Sequence, residues 1–177
     1  MRTSLCDSRP VTRMALFVAS ALALWTAWAP VRAQAAGVAA VGQNEAPIHD
    51  AARAGQRADV ERLLKGDATQ RDVRAPLGAT PLHYAAMNAD SGPLQALIAA
   101  GANPNARDAE GRTPLHMAAF STRTANAKLL LRAGSDPLAK TDAGRDVLSL
   151  ARKVRADELA GELSLWILKG CSPQKPC

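Results

Sequence analysis

A nine-residue segment of this chain occurs twice, and the two copies begin 33 residues apart. Residues 78–86 and 111–119 share seven of their nine residues. A leucine and a glycine further along keep the same offset. These pairs are Leu97 with Leu130 and Gly101 with Gly134. Repetition at this period restricts the fold to an array of similar, stacked units.

The repeat extends in both directions with decreasing similarity. Residues 46–52 keep the histidine and the alanine pair, whereas residues 144–151 keep the glycine and the apolar positions. Terminal units of a stacked array are expected to differ, because one face of each meets water rather than a neighbour. We therefore expect two regular copies between two degraded ones.

The residues of the motif are those that begin and end short helices. Thr80 can cap a helix through its side-chain oxygen, and Pro81 then lies at the first helical position, where its missing N–H costs nothing. Asp146 keeps the capping role in the last copy. Gly101 and Gly134 follow the second apolar run of their copies, where a left-handed residue ends a helix. Each unit is therefore predicted to be a pair of helices.

Small apolar residues form the candidate core. Leu82, Ala85 and Ala86 have the spacing of a buried helical stripe, with alanines where helices approach closely. The chain is 47% apolar but only 3% aromatic. This composition suits closely packed helices and is poor for a large β-sandwich.

The sequence Thr-Pro-Leu-His-x-Ala-Ala, with a leucine pair and Gly-Ala-Asn-Pro-Asn-Ala at residues 101–106, resembles the ankyrin repeat. The resemblance covers residues 44–168. It implies an all-α solenoid of about four helix-turn-helix repeats with short hairpin loops and degraded terminal repeats. The repeats are expected at residues 44–77, 78–110, 111–143 and 144–168.

Two connections depart from the pattern. The one before Thr80 is two residues longer than its counterpart in the next copy, so residues 71–77 are predicted to form an irregular first hairpin. The turn at residues 88–93, between the helices of the second copy, is also unusual. Regular hairpins are expected at residues 105–111 and 140–144.

The resemblance implies that hairpin tips and the exposed inner face of the first helices hold a partner. The tips are Arg107, Ala109, Glu110, Arg112, Lys140, Ala143 and Arg145, and the helix positions are Met87, Asn88, Phe120 and Ser121. Basic tips beside Met87 and Phe120 predict a partly acidic partner with an aromatic or aliphatic anchor. The alternative is that these residues are ordinary solvated tips.

Metal, enzyme and nucleic-acid functions are disfavoured. Three histidines occupy the same place in successive copies, and helices about 8–10 Å apart keep them from converging on one zinc ion. We expect His49, His83 and His116 to form structural hydrogen bonds instead. Hydrolase, metalloprotease and phosphate-binding motifs do not occur in the sequence, and no cofactor is expected.

The positive charge of the chain is divided between two parts. The net charge is +6, and residues 1–33 hold four arginines and one aspartate, a balance of +3. The remaining 144 residues therefore carry only +3. This is too little to argue for nucleic-acid binding.

The N-terminal segment resembles an export signal. Three arginines precede an uncharged apolar stretch at residues 14–31, and small residues follow. This order predicts a secretory signal peptide at residues 1–33, cleaved after Ala33 or Ala35. The alternative is an uncleaved anchor, because 18 residues lie at the short end of the roughly 17–25 that span a bilayer. The short length and the residue order of this signal indicate a bacterial protein that is exported to the periplasm.

Two cysteines would remain after cleavage, Cys171 and Cys177, in a tail at residues 169–177. In an oxidising compartment they are predicted to close a structural disulfide loop. A loose thiol pair and a redox site are the alternatives, although a redox dithiol more typically has the spacing Cys-x-x-Cys.

The sequence thus predicts a monomeric periplasmic protein without an active site. It would bind another protein, as an adaptor, protector or inhibitor of an envelope component, and would not contact the membrane once the signal is cleaved. Two alternatives stay open. One is a membrane-tethered ankyrin scaffold that keeps residues 14–31, and the other is a secreted effector that binds a host protein.

Overall fold

The computed structural model describes residues 45–171, and this part of the chain forms eight α-helices and one short 3-10 helix. The α-helices are α1 Pro47–Ala54, α2 Arg57–Gly66, α3 Pro81–Met87, α4 Gly92–Ala99, α5 Pro114–Phe120, α6 Thr124–Arg132, α7 Val147–Lys153 and α8 Asp157–Leu168. Each odd-numbered helix packs against the helix that follows it and against the next odd-numbered helix. This is the predicted all-α solenoid of four helix pairs.

The predicted export signal at residues 1–33, with its two cleavage sites, lies outside the described residues, as does Cys177. The disulfide with Cys171 therefore stays a prediction. Cys171 itself is buried, and its N–H donates to the carbonyl of Trp166 at 3.2 Å. Among the described helices, none has the length and apolar character needed to cross a bilayer.

The starts of the first helices follow the motif. Its prolines are the first residues of α3 and α5, as predicted. The histidine caps the start of α3, because Nδ1 of His83 lies 3.0 Å from the backbone N of Thr80 and 2.9 Å from its hydroxyl oxygen. At α7 the carboxylate of Asp146 accepts the N–H of Ser149 at 2.6 Å, which confirms its capping role.

The histidines also join each repeat to the connection that follows it. Nδ1 of the ring accepts a backbone N–H, so the proton lies on Nε2, which donates to a carbonyl oxygen. Nε2 of His49, His83 and His116 lies 3.0, 3.1 and 3.3 Å from the carbonyl oxygens of Val73, Arg112 and Arg145. The predicted structural role of the histidines is confirmed.

Small side chains fill the space between the helices. Leu82, Ala85 and Ala86 of α3 are fully buried, and so are their counterparts in α5. Leu97 of α4 and Leu130 of α6 complete this core and are equally inaccessible. Alanines at the contact let the first helices approach closely, which fixes the spacing of the repeats.

Glycines end the second helices, as predicted. Gly101 and Gly134 have φ angles of 79° and 93°. This left-handed conformation lets the next N–H return to the helix, and that of Ala102 donates to the carbonyl of Leu97 at 3.0 Å. Gly170 has the same conformation after α8, with a φ of 65°.

The first connection differs from the prediction. Its two added residues are accommodated in the segment that forms the 3-10 helix Ala68–Asp72, which the Asp67 side chain caps. The hairpin beyond it is regular, because the N–H of Gly78 donates to the carbonyl of Ala75 at 2.7 Å, as in the later hairpins. The prediction of an irregular hairpin at residues 71–77 was wrong, since the added length is taken up before the turn.

The turn between α3 and α4 is held by a side chain of the next repeat. Buried Asn126 of α6 donates from its amide nitrogen to the carbonyls of Asn88 at 2.8 Å and Ala86 at 3.1 Å. Its Oδ1 accepts the hydroxyl of Ser91 at 2.6 Å. The equivalent turns of the third and fourth repeats instead contain a left-handed residue, Thr122 or Arg155.

Candidate protein-binding surface

A groove lies between the third and fourth repeats, with the tips of two hairpins on one side and the first helices α5 and α7 on the other. Its volume is about 500 Å³, within the range of ligand-binding clefts. The lining residues are Ala109, Glu110, Arg112, His116, Met117, Phe120, Thr141, Asp142, Ala143, Arg145, Leu150, Lys153 and Val154.

The two hairpins of the groove have the same backbone geometry. The N–H of Asp108 donates to the carbonyl of Arg112 at 2.9 Å, and Thr141 and Arg145 repeat this bond at 2.9 Å. Gly111 occupies the turn with a φ of 71°. A Cβ at this glycine would collide with the carboxylate of the next hairpin. The N–H of Asp142 also donates to the carbonyl of Glu110 at 3.1 Å, so the two tips are joined through their backbones.

Arg112 is bound within its own hairpin. The carboxylate of Asp108, which is only 8% exposed, accepts a hydrogen bond from Nε of Arg112 at 2.7 Å. It also accepts hydrogen bonds from the backbone N–H groups of Arg112 and Glu110, at 2.8 and 2.9 Å. Burial alone would raise the pKa of Asp108, but these bonds outweigh it and lower the pKa. Arg112 thus has a structural role in addition to its place in the groove.

An exposed aromatic side chain stands at the mouth of the groove. Phe120, the last residue of α5, is 61% exposed. The half-buried side chains of Met117, Leu150 and Val154 provide further apolar surface beside it. A large exposed aromatic residue beside a concave apolar surface is typical of a binding hot spot.

Two cations of the groove have no ion pair within the part of the chain that the structure describes. Arg145 and Lys153 are exposed, and neither forms a salt bridge with another described residue. In contrast, Glu110 pairs with Arg112 at 3.1 Å and Asp142 with Arg107 at 3.2 Å. Side chains that line the groove thus carry three positive and two negative charges, and the two charges without an ion pair among the described residues are positive.

The structure brings together only some of the residues predicted to bind a partner. Glu110, Arg112, Phe120 and Arg145 line the groove, as do Ala109 and Ala143. The others lie outside it: Arg107, Lys140, Met87, Asn88 and Ser121. Arg107 donates to the carbonyl of Lys140 at 2.8 Å, and the amide of Asn88 donates to the carbonyl of Ala52. These side chains connect neighbouring repeats.

Sequence reasoning missed Lys153, although the repeat period could have found it. The sequence predicts Met87 and Phe120 as exposed helix positions, and Lys153 lies 33 residues after Phe120. Leu150 is likewise the counterpart of Met117. The degraded sequence of the fourth repeat hid this correspondence.

In the first two repeats, side chains pack together at the position equivalent to the groove. Tyr84, the counterpart of Met117, donates its hydroxyl to Glu45 at 2.8 Å. Arg53 forms an ion pair with Glu45 and lies 4.6 Å from the centre of the Tyr84 ring. Burial and the bond to Glu45 raise the pKa of Tyr84. This cluster was not predicted from the sequence.

The histidines do not form a metal site. Each ring has hydrogen bonds at both nitrogens, and the described residues include no group of His, Cys, Asp or Glu side chains with a metal-binding arrangement. Burial lowers the pKa of His83 and His116, so the neutral form that these bonds require is favoured.

Comparisons with known proteins agree with this architecture. The model of a family described as ankyrin repeats, in three copies, matches residues 44–141. Palmitoyltransferase Hip14 of Drosophila melanogaster is 41% identical over 63 residues. That similarity covers 36% of this chain but only 10% of the relative, so the chain spans about a tenth of the length of that protein.

Proposed function

Because this chain belongs to the ankyrin-repeat family, we propose that it is a non-enzymatic module that binds another protein. Ankyrin repeats are protein-interaction modules, and the family therefore supports a protein partner. A fold alone does not choose the partner. The proposal thus depends on the surface that the repeats present.

The groove between the third and fourth repeats is the proposed binding surface. The observation that carries this is the exposure of Phe120 beside apolar side chains. Arg145 and Lys153 also line the groove, and neither has an ion pair within residues 45–171. Interfaces of standard size bury about 800 Å² per partner, more than the groove itself offers. The partner would therefore extend onto the neighbouring hairpin tips and helix ends, where the predicted residues Arg107, Lys140, Met87, Asn88 and Ser121 lie.

The proposed location is the bacterial periplasm, where the protein would act as an adaptor, protector or inhibitor of another envelope protein. Support for this comes from the arginines, the apolar stretch and the small residues of the N-terminal segment. A membrane-tethered scaffold and a secreted effector remain the alternatives. Intact mass and cell fractionation separate them, since a cleaved periplasmic form would begin at residue 34 or 36.

Affinity capture with paired variants tests the binding surface. A tagged copy is cross-linked in intact cells, and its co-purified proteins are compared with those of a Phe120→Ser variant. Leu138→Ser is the matched control, because Leu138 is 60% exposed, against 61% for Phe120, and lies outside the groove. Both variants change an exposed apolar residue, so both should fold.

We expect a partner that is recovered with the wild type and the Leu138→Ser control but is lost with Phe120→Ser. Recovery of the same partner with all three proteins would show that the interface lies elsewhere. Equal thermal stability of the three proteins, measured by circular dichroism, would exclude unfolding as the cause of a loss.

A further inference from the structure

We propose that the groove binds an extended acidic polypeptide segment in which one apolar side chain lies between two carboxylates. This inference rests on the proposed function and specifies the chemistry of the partner. It is carried by the charge of the groove, by the positions of its cations, and by an internal pairing in the first repeat.

The charge of the groove selects an acidic partner. Asp142 is paired with Arg107 at 3.2 Å, and Glu110 is paired at 3.1 Å with Arg112, which also binds Asp108. Arg145 and Lys153 have no such partner among the described residues. Exposed Arg152 and Arg155 lie beside Lys153 in the chain, close to exposed Asp157 at the start of α8. A ligand with carboxylates at both ends of the groove would compensate these charges.

The two cations stand at opposite ends of one helix. Arg145 precedes α7, whereas Lys153 is its last residue. The seven residues of α7 give it a length of about 10 Å. Arg145 lies two residues before this helix, which adds to the separation. An extended chain advances about 3.3 Å per residue, so carboxylates three or four positions apart would lie about 10–13 Å from each other and could reach both cations. The apolar side chain between them would contact Phe120 and Leu150.

The first repeat contains a pairing of the same kind. Arg53 is the counterpart of Lys153 in the first repeat. Successive repeats are offset by 34, 33 and 33 residues, as the histidines and the later motifs show, and these offsets lead from position 53 to position 153. Arg53 binds the carboxylate of Glu45, which belongs to the non-helical segment before α1, and the hydroxyl of Tyr84 binds the same carboxylate. A basic residue at this position thus already holds an acid from a non-helical segment in this protein.

Selection from a display library of random heptapeptides tests the proposal. The target is the purified protein, in parallel with the double variant Arg145→Gln/Lys153→Gln. The control is Lys65→Gln/Arg132→Gln, which removes the same charges from exposed helix positions outside the groove. Phe120→Ser reports separately whether selected peptides use the proposed surface. Affinities of synthetic copies are measured by fluorescence polarisation.

We expect enriched peptides with an apolar residue between acids three or four positions apart. Their affinity should fall at least tenfold in the Arg145→Gln/Lys153→Gln variant and change less than twofold in the control. Peptides that depend on Phe120 but contain no acids, or that tolerate loss of both cations, would overturn this inference and leave the proposed surface standing.

Peptides insensitive to Phe120→Ser would overturn both the inference and the proposed surface. Failure to enrich any peptide would also overturn the inference. The same holds if the protein binds vesicles of anionic phosphatidylglycerol in place of peptides, because the unpaired cations would then serve a membrane surface.

Discussion

The histidine side chains of the first three repeats have both ring nitrogens hydrogen-bonded, which fixes one neutral tautomer. Nδ1 of His83 accepts from Thr80 at the start of its helix, and Nε2 donates to Arg112 in the next connection. One side chain therefore caps a helix and joins two repeats. Protonation would remove the acceptor at Nδ1 and break the first of these bonds.

The stability of the fold should consequently fall as the solution becomes acidic. Burial lowers the pKa of His83 and His116 in the folded chain, whereas both titrate near 6.5 when unfolded. Above that pH both states are neutral and stability is constant. Below it the unfolded state binds more protons, so stability falls by up to about 1.4 kcal/mol per pH unit for each histidine.

The urea midpoint, measured from pH 8 to pH 5, checks this prediction. The decline should begin near pH 6.5 and become shallower in a His83→Gln variant. Carboxylates with lowered pKa, such as that of Asp108, act only near and below pH 4. A midpoint that is constant or rises between pH 7 and pH 5 would contradict the expectation.

Removal of Arg112 should destabilise the third repeat. Arg112→Ala takes the side-chain donor from the buried carboxylate of Asp108, which keeps only its two backbone donors. We expect a loss of about 1–3 kcal/mol in the free energy of unfolding by urea. Arg152→Ala removes an exposed arginine without an ion pair among the described residues and should change it by less than about 0.5 kcal/mol. Equal effects of the two would refute the structural role.

At the scale of helices and turns, the sequence predicts those features that depend only on residues close together in the chain. Proline, threonine and glycine act within one turn of the chain, so the starts of α3 and α5 and the ends at Gly101 and Gly134 followed from the motif. The 3-10 helix Ala68–Asp72 was missed, because an added length can be accommodated at several places in a connection.

The turn between α3 and α4 provides a test at this scale. Asn126→Ala would leave the carbonyls of Ala86 and Asn88 and the hydroxyl of Ser91 without their partner. We expect the free energy of unfolding to fall by about 1–3 kcal/mol. We also expect the amide protons of residues 88–92 to exchange faster with deuterium. Gln95→Ala, on the exposed side of α4, should do neither. Unchanged exchange in Asn126→Ala would show that the turn holds itself.

Over the whole molecule, the groove depends on what neighbouring repeats place side by side. The sequence located Phe120 and Arg145, since the family pattern marks hairpin tips and inner helix positions. It did not distinguish the open surface of the last repeats from the first two, where Tyr84, Arg53 and Glu45 pack together. That distinction requires contacts between residues up to 39 positions apart.

The sequence also did not show how Arg112 is bound. By its position Arg112 belongs to a hairpin tip, but its side chain forms an ion pair with Asp108 of the same hairpin. Its bond to the buried carboxylate of Asp108 makes it unsuitable as a test of binding alone, because its removal also changes the hairpin. Phe120 is better suited, since most of its side chain faces solvent.

A photo-activated cross-linker at position 120 tests the central claim most directly. A benzophenone analogue of phenylalanine is incorporated in place of Phe120 and, in a second strain, in place of Leu138, which is similarly exposed but outside the groove. Irradiation of intact cells should yield one cross-linked protein from position 120 and none from position 138. A partner that is cross-linked from position 138 but not from position 120 would place the interface away from the groove and contradict the account.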